Sequence, residues 1–520
     1  MPYGLPARLA CEVLLFSAAT VFTFGCGSDA KNADQARPKT ETGGLGGTAQ
    51  GGGATRSGAG AGAVDTGGSG GGRAASGGAP SSAGGGTGGT TAGSATNGGV
   101  ATSGGAGGAG PAGASAGTAG SGGVAGQGGS AGTTGKTPAL INNYDGARSS
   151  TLSFDLNWKF HLGDATGAEK TTFDDSSWTA LDVPHDWSIS LAFNQSSPSG
   201  AGGGYLDGGL GWYRKSFSLP DAGSDARVYL QFDGVYMDST VWLNGTQVCA
   251  RPYGYSSFEC NITSALQAGA NVVAVKVNNQ QPSSRWYSGS GIYRHVWLKT
   301  VSSVHVAYTG VSVIASDVSS SSAKLDVAVA LQNEAASDKS ATVAFSIRDS
   351  DGLEVAQATK AATAVPAGKS ASVAQSLTVE APSLWSVAKP ALYSLVTTVS
   401  ADGAVVDTYT APFGIRSFAF DASSGFSLNG QKMKLNGVCL HHDLGALGAA
   451  VNTRALEKRL QMLKDMGVNA IRTSHNPPAP ELLDLADRLG FVVMDEAFDS
   501  WYNAKNKYDY GRFFKQWANT

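Results

Sequence analysis

Cysteine and charge are both scarce in this chain, with five cysteines and 15% charged residues among 520. Beyond the first segment only Cys249, Cys260 and Cys439 remain, and none has metal-ligand spacing. The formal net charge of -3 leaves no basic field to attract nucleic acid or an acidic membrane surface, so a neutral partner fits best. The apolar run from Val13 to Phe24 is too short for a bilayer span, which takes about 20 residues.

What the chain has in excess is glycine, 73 residues, most of the surplus lying between Gly43 and Gly135 among Ala, Ser and Thr. Such a stretch cannot bury a core, and residues 27–138 are expected to be a disordered, flexible tether. The first 26 residues have the order of an export signal: Arg8, the apolar run, then Gly25-Cys26. Phe22-Thr23-Phe24-Gly25-Cys26 resembles a bacterial lipobox, which makes Cys26 the lipid-attachment residue. A simple cleaved signal and a free thiol are the alternatives. An exported protein is expected, anchored by lipid at the cell surface or periplasm, or secreted. That anchor is its one expected membrane contact.

Residues 139–302 change to period-two alternation, as in Val228, Leu230 and Phe232, with Asn244-Gly245 as a hairpin turn signal. Aromatic residues are dense there, and most should be sandwich core. In an oxidising compartment Cys249 and Cys260 could close a small loop; two separately buried thiols are the alternative. Residues 303–413 carry strands such as Leu325–Leu331, Thr342–Ile347 and Leu392–Val399, a pattern of the immunoglobulin-like sandwich type without a chemical constellation. From 414 to 520 strand and helix patterns alternate. A strand is expected over Lys432–Leu440, a helix through Leu456, Leu460 and Leu463 ending at Gly467, and a strand over Val468–Ser474. A helix opened by Pro480 and a strand over Phe491–Met494 follow. Short connections between them argue for a parallel sheet.

Each of these three strands ends in a polar cluster: His441-His442-Asp443, Arg472-Thr473-Ser474-His475-Asn476 and Asp495-Glu496. In parallel α/β folds ligands collect at the carboxyl ends of strands. One such histidine is usually structural and one such acid a helix cap. Imidazoles, an amide and carboxyls converging on one rim fit a polyhydroxylated ligand, which needs many directed donors and acceptors. A metal held by His441, His442 and His475 has no helical pairing or acidic cluster behind it, and neither metal nor other cofactor is expected.

Gly437-Val438-Cys439-Leu440-His441-His442-Asp443, Ile471-Arg472-Thr473-Ser474-His475-Asn476-Pro477-Pro478 and Asp495-Glu496-Ala497-Phe498-Asp499 resemble the barrel start of glycoside hydrolase family 2. The segment Phe498 to Tyr510 is most similar to its β-galactosidases. Gly211-Trp212-Tyr213-Arg214-Lys215, Val241-Trp242-Leu243-Asn244-Gly245 and Ser290-Gly291-Ile292-Tyr293-Arg294 resemble its sugar-binding jelly roll. Leu384-Trp385 with Pro390-Ala391-Leu392-Tyr393 resembles the end of its immunoglobulin-like domain.

The resemblance implies a multidomain fold: a β jelly-roll sandwich, an immunoglobulin-like β-sandwich, then the first βα units of a (β/α)8 TIM barrel. It implies a retaining exo-glycosidase of carbohydrate breakdown acting on a β-galactoside or related glycan. His441 and His475 would line the sugar pocket, Asn476 would support it and Arg472 would brace the rim. Arg285, Trp286 and Tyr287 would lie on a loop lent by the jelly roll. Certain members bind Mg²⁺ just after the third strand; Asp499-Ser500-Trp501 stands there instead, and no such ion is expected. The acid/base and nucleophile of the family are glutamates on later strands, expected beyond Thr520. A whole barrel takes about 250 residues, so this chain is expected to be a fragment without activity of its own. The alternatives are a non-catalytic glycan-binding lipoprotein, or β-glucuronidase or β-mannosidase specificity.

Overall fold

The computed structural model describes residues 150–219 and 223–514. The signal segment, Cys26 and the glycine-rich tether lie outside the described residues. Two antiparallel sheets build the first domain. One has six strands, ordered 179–181, 158–162, 209–218, 270–279, 239–243 and 246–251; the other has four, ordered 150–153, 296–302, 226–232 and 258–261. Their inward residues form one core around Trp158, Tyr213, Leu230, Phe232, Val241 and Val275. The alternation that buries Val228, Leu230 and Phe232 is the period of a pleated strand with one face inward. Asn244 and Gly245 both take positive φ, 53° and 83°, as the tight turn between paired strands requires. Cys249 and Cys260 are joined by a disulfide across an 11-residue separation, and it ties an edge strand of the larger sheet to one of the smaller.

A second sandwich follows, with sheets of three strands (304–316, 322–333, 370–380) and four (354–365, 339–348, 393–401, 404–413). Asn333-Glu334 lies at its junction with the jelly roll. The Glu334 carboxylate accepts from the Tyr229 hydroxyl and from Asn261 Nδ2 at 2.9 Å, and Arg227 Nη2 donates to its backbone carbonyl at 2.6 Å. This Asn-Glu pair is a domain tie.

The third region opens with a small antiparallel sheet (418–421, 425–428, 431–432) and continues into three parallel strands, β1 (Gly437–Leu440), β2 (Ala470–Thr473) and β3 (Val492–Met494). The strand expected over Lys432–Leu440 is therefore broken. Lys432 still pairs backward in the small sheet, and the chain re-aims at Asn436, whose amide donates to Asn469 Oδ1 at 2.8 Å, before it joins the parallel sheet. Helix α1 (Thr453–Asp465) starts at Asn452, whose side chain caps Ala455 N–H, and α2 (Pro480–Leu489) has Pro at its start and ends at left-handed Gly490. Leu456, Leu460, Ile471, Leu482, Leu485 and Phe491 pack between helices and sheet. Trp385, fully buried, joins the sandwich to α2 by donating its indole N–H to the Asp487 carbonyl at 2.8 Å. Among the described residues β3 pairs on one side only. An open apolar cavity of about 240 Å³ lies between the small sheet and β1 to β3, lined by Phe418, Phe426, Leu428, Ile471 and Val493. No described helix is long and apolar enough to cross a membrane.

One face of α2 concentrates acids. Burial, then the neighbouring Glu481 and Asp487 carboxylates, push Asp484 up from 3.8 to about 7; Arg488 pulls against them, and Asp233 of the jelly roll adds to the rise. The folded protein thus holds a proton that the unfolded chain gives up between those two values, so stability falls as pH rises through that window. Asp484→Asn is expected to raise the melting temperature by several degrees at pH 8 and to leave it nearly unchanged at pH 4, as thermal denaturation will read.

Candidate functional site

The site is assembled where the jelly roll meets the ends of β1, β2 and β3. The loop between the jelly-roll strands 270–279 and 296–302 is fixed from below. Asn279 Nδ2 donates to the Gly289 carbonyl at 3.0 Å and to Ser290 Oγ at 2.7 Å, and Ser283 Oγ donates to Asn279 Oδ1 at 2.6 Å. Asp186, only 2% exposed, is the anchor that reaches across to the barrel side. Its Oδ1 accepts from Ser188 N and Ser290 N at 3.0 and 2.9 Å, and its Oδ2 from the Tyr287 hydroxyl at 2.5 Å and Ala449 N at 2.8 Å. Ala449 belongs to the segment between β1 and α1, so one carboxylate binds both domains. Burial raises its pKa, and the hydrogen bonds from Ala449, Tyr287, Ser290 and Ser188 oppose the rise. Space around it is exhausted: a methyl group on Gly448 or Gly289, both at positive φ, would overlap Asp186 Oδ2.

Above this anchor the loop presents Arg285 and Trp286. Arg285 makes a two-pronged pair with Asp499, Nε to Oδ2 at 3.1 Å and Nη2 to Oδ1 at 2.7 Å, and Lys505 Nζ reaches the same Oδ1 at 2.9 Å. Burial works to raise the Asp499 pKa, but the two cations outweigh it and hold the carboxyl below its ordinary value. A carboxylate already filled by two cations does not fit the Mg²⁺ that some resembling proteins hold near here. Among the described residues no three His, Cys, Asp or Glu side chains are grouped to take a metal ion. The Trp286 ring lies 4.6 Å from His441 and 6.1 Å from His475.

On the barrel side Glu496 organises the rim. It accepts from Arg472 Nε at 2.6 Å and pairs with His475 Nδ1 at 2.8 Å. Burial raises its pKa, yet the His475 and Arg472 hydrogen bonds prevail and keep it below its usual value. An ionised Glu496 can only accept, and Arg472 Nη2 also lies 3.0 Å from His475 Nδ1, so the three side chains form one closed network. His441 is half-buried, and burial, then the neighbouring His475, lower its pKa, which favours the neutral imidazole. Its Nδ1 has no hydrogen-bond partner among the described residues.

Arg285, Arg472, His475 and Glu496 share a cavity of about 730 Å³ with Asp499, Trp501, Tyr502, Asn503 and Lys505. His441 stands behind Trp286 and lines a small separate cavity with Tyr293, Arg294 and His442. Tyr287 turns away to Asp186. Asn476 lies beneath the rim, 5% exposed, its Oδ1 accepting from the Tyr253 and Tyr510 hydroxyls at 3.1 and 2.7 Å. His442 packs its ring 4.5 Å from Tyr255. Sequence reasoning missed Asp186 and the partnerships of Glu496 and Asp499. A lone acid between the aromatic-flanked residues His185 and Trp187 was the one available sign of the first.

Fold and site together define a modular protein with two β-sandwich domains ahead of parallel barrel strands whose carboxyl ends carry a polar rim. Models of glycosyl hydrolases family 2 match the chain in that order: the sugar binding domain over 153–302, the family 2 domain over 304–416 and the TIM barrel domain over 422–512. The chain belongs to glycosyl hydrolase family 2. It is 52% identical over 366 residues to the beta-galactosidase BoGH2A of Bacteroides ovatus, an alignment covering 70% of this chain and 43% of that protein. It is 30% identical over 375 residues to a beta-glucuronidase of Formosa agariphila, covering 66% and 38%. Among solved structures, a family 2 member from Bacteroides cellulosilyticus superposes with a TM-score of 0.68 at 39% identity, covering 70% of this chain and 48% of that one. The chain thus spans less than half the length of these proteins.

Asp186→Ala removes four accepted hydrogen bonds and leaves their donors buried, and should destabilise the fold by on the order of 3 kcal/mol. Denaturant unfolding will measure this; a change within about 0.5 kcal/mol, the usual size for a surface site, would contradict the anchor.

Proposed function

We propose that this chain supplies the sugar-orienting half of a retaining exo-glycosidase site with β-galactosidase specificity. One observation carries the reading: Arg472, Glu496 and His475 form a fixed charged network at strand ends, beside a cavity that the jelly roll closes with Arg285. Such a rim orients hydroxyl groups by directed hydrogen bonds. Retaining hydrolysis needs a proton donor and an attacking carboxylate about 5 Å apart. Glu496 is held ionised by two donors and is a positioning group, unsuited to donate a proton. The acid/base and nucleophile are proposed to be glutamates on barrel strands that follow β3.

Support for galactose over other sugars comes from the 52% identity to a protein named as a beta-galactosidase. A second reading, β-glucuronidase, is favoured by one feature of the rim: Arg285 and Lys505 share the single Asp499 carboxylate, which leaves a net positive charge facing the cavity. A uronate carboxylate would meet it. The position of Cys26 after its apolar run supports an exported, lipid-anchored protein, and radiolabelled palmitate incorporation that Cys26→Ser abolishes is the expected result.

The 520-residue chain should bind methyl β-galactoside without releasing p-nitrophenol from its aryl galactoside. Co-expression with the later barrel segment of the Bacteroides ovatus relative should restore release. In that complex a glucuronide turned over more than ten-fold faster than a galactoside, by kcat/KM, would replace the first reading by the second. Glu496→Gln should weaken methyl β-galactoside binding on the order of ten-fold or more, because Arg472 and His475 lose the charge that holds them. His441, which lines a separate small cavity behind the rim, should on replacement by Ala change turnover in the complex only a few-fold; a loss of about a hundred-fold or more would put it in contact with the sugar. Loss of soluble protein instead would make His441 a packing residue.

A further inference from the structure

We propose that His295 and Glu481 form a proton-dependent latch between the jelly roll and the barrel: one proton held between their side chains closes the contact, and its loss in alkaline solution opens it. His295 directly precedes the jelly-roll strand 296–302, and Glu481 stands in the first turn of α2. On one side the imidazole Nδ1 lies 2.7 Å from Asp155 Oδ2. On the other, Nε2 faces Glu481 Oε1 at 3.7 Å, within ion-pair reach. His295 Nε2 and Glu481 Oε2 have no hydrogen-bond partner among the described residues, and Glu481 is only 3% exposed. Each of the two contacts needs a hydrogen, and a neutral imidazole carries only one. The second is the proton of the latch, whichever of the three groups carries it.

The surroundings oppose loss of that proton. Asp233 of the jelly roll and Asp484 of α2 add negative charge beside Glu481, and Arg294 is the facing cation besides His295. Arg294 is already engaged: Nη1 donates to the Asp233 and Tyr255 carbonyls at 3.2 and 2.8 Å, and Nη2 donates to the Pro477 carbonyl at 2.9 Å beside His442. Behind Asp155 lies Lys215, whose Nζ donates to the Phe154 carbonyl at 2.8 Å. Further along α2, Asp487 is balanced by Arg416, and Arg488 acts on Asp484. Burial alone would lower the His295 pKa, but Asp155 and Glu481 outweigh it and raise it above 6.5, while burial raises that of Glu481. Both groups thus hold a proton more tightly when the contact is closed. The opened histidine gives it up above pH 6.5, and from there the closed form loses about ten-fold in population per pH unit until the closed pair itself titrates.

The latch is placed to be felt at the rim. Residues 476–480 alone separate Glu481 from His475. Within that stretch Asn476 is tied to the jelly roll by the Tyr253 hydroxyl at 3.1 Å and Pro477 by Arg294. An opened latch leaves those two bonds to hold the His475 segment. The Ala449 bond to Asp186 and the Trp385 bond to the Asp487 carbonyl lie outside the latch and still hold the barrel strands to the two sandwiches, so the opening is local.

Hydrogen–deuterium exchange of the 520-residue chain between pH 6 and pH 9, corrected for the intrinsic exchange rate, tests this. The Asp484→Asn background removes that group's own titration. In it, peptides covering residues 474–486 should lose protection by on the order of ten-fold or more over this range. Peptides from the immunoglobulin-like strand 322–333 should change by less than about two-fold. Adding Glu481→Gln, whose amide can donate to Nε2 at every pH, should abolish the local loss. Should that variant not fold, the Asp484→Asn chain decides alone: protection of residues 474–486 that does not change with pH would overturn the latch. A loss spread evenly over all three domains, or a local loss that persists with Glu481→Gln, would overturn it as well.

Discussion

A buried carboxylate with four donors and no cation is the constraint on which this site depends. Asp186 sits where the jelly roll and the first barrel strand meet, and both of its oxygens are used, two bonds to each. Such a group is unfavourable to bury and stays only where every lone pair is answered. The consequence is geometric. The Arg285–Trp286 loop and the segment after β1 cannot shift independently, and Arg285 can reach Asp499 because its backbone is already held against the barrel.

Charges on the opposite rim follow the same logic with cations present. Glu496 and Asp499 are both partly withdrawn from water, which alone would raise their pKa values, and in each case two positive or donating partners reverse the sign. Both therefore favour the ionised form more than a free carboxylate does. Their role is to fix Arg472, His475, Arg285 and Lys505 in place. Polar recognition of any ligand gains from donors whose own positions are already set.

Much of this architecture was legible in the residues, and the parts that were not share a physical cause. Period-two alternation placed the jelly-roll strand 226–232, and Gly467 and Pro480 mark helix ends found in the structure. These are local signals. Of the three strand-end clusters read along the chain, the second and third meet at one cavity through Arg472, His475 and Glu496, whereas His441, His442 and Asp443 line a separate one. The break between Lys432 and Gly437 was hidden, since Asn436 is re-aimed by Asn469, 33 residues away. Asp186 was hidden for the same reason: its partners range from two to 263 residues distant, and periodicity carries nothing about them. The dense aromatics divided in a way composition could not foresee. Trp158 and Tyr213 fill the sandwich, while Tyr253, Tyr255 and Tyr293 form a separate cluster under the barrel rim with Ala449 and Tyr510.

The doubly tied loop also bears on how such a protein could diversify. Arg285, a cation that lines the cavity, shares its short segment with Tyr287, which is committed to Asp186. Substitutions there would disturb domain docking before they altered selectivity, so adaptive change in that loop is mechanically discouraged. Trp501 and Tyr502 project from a frame whose hydrogen bonds run through backbone amides, Asp509 and Tyr510. Exchanging those two rings would keep these hydrogen bonds and lose only the ring contacts with Phe498 and Phe514, so change there is felt as packing and leaves the domain docking in place.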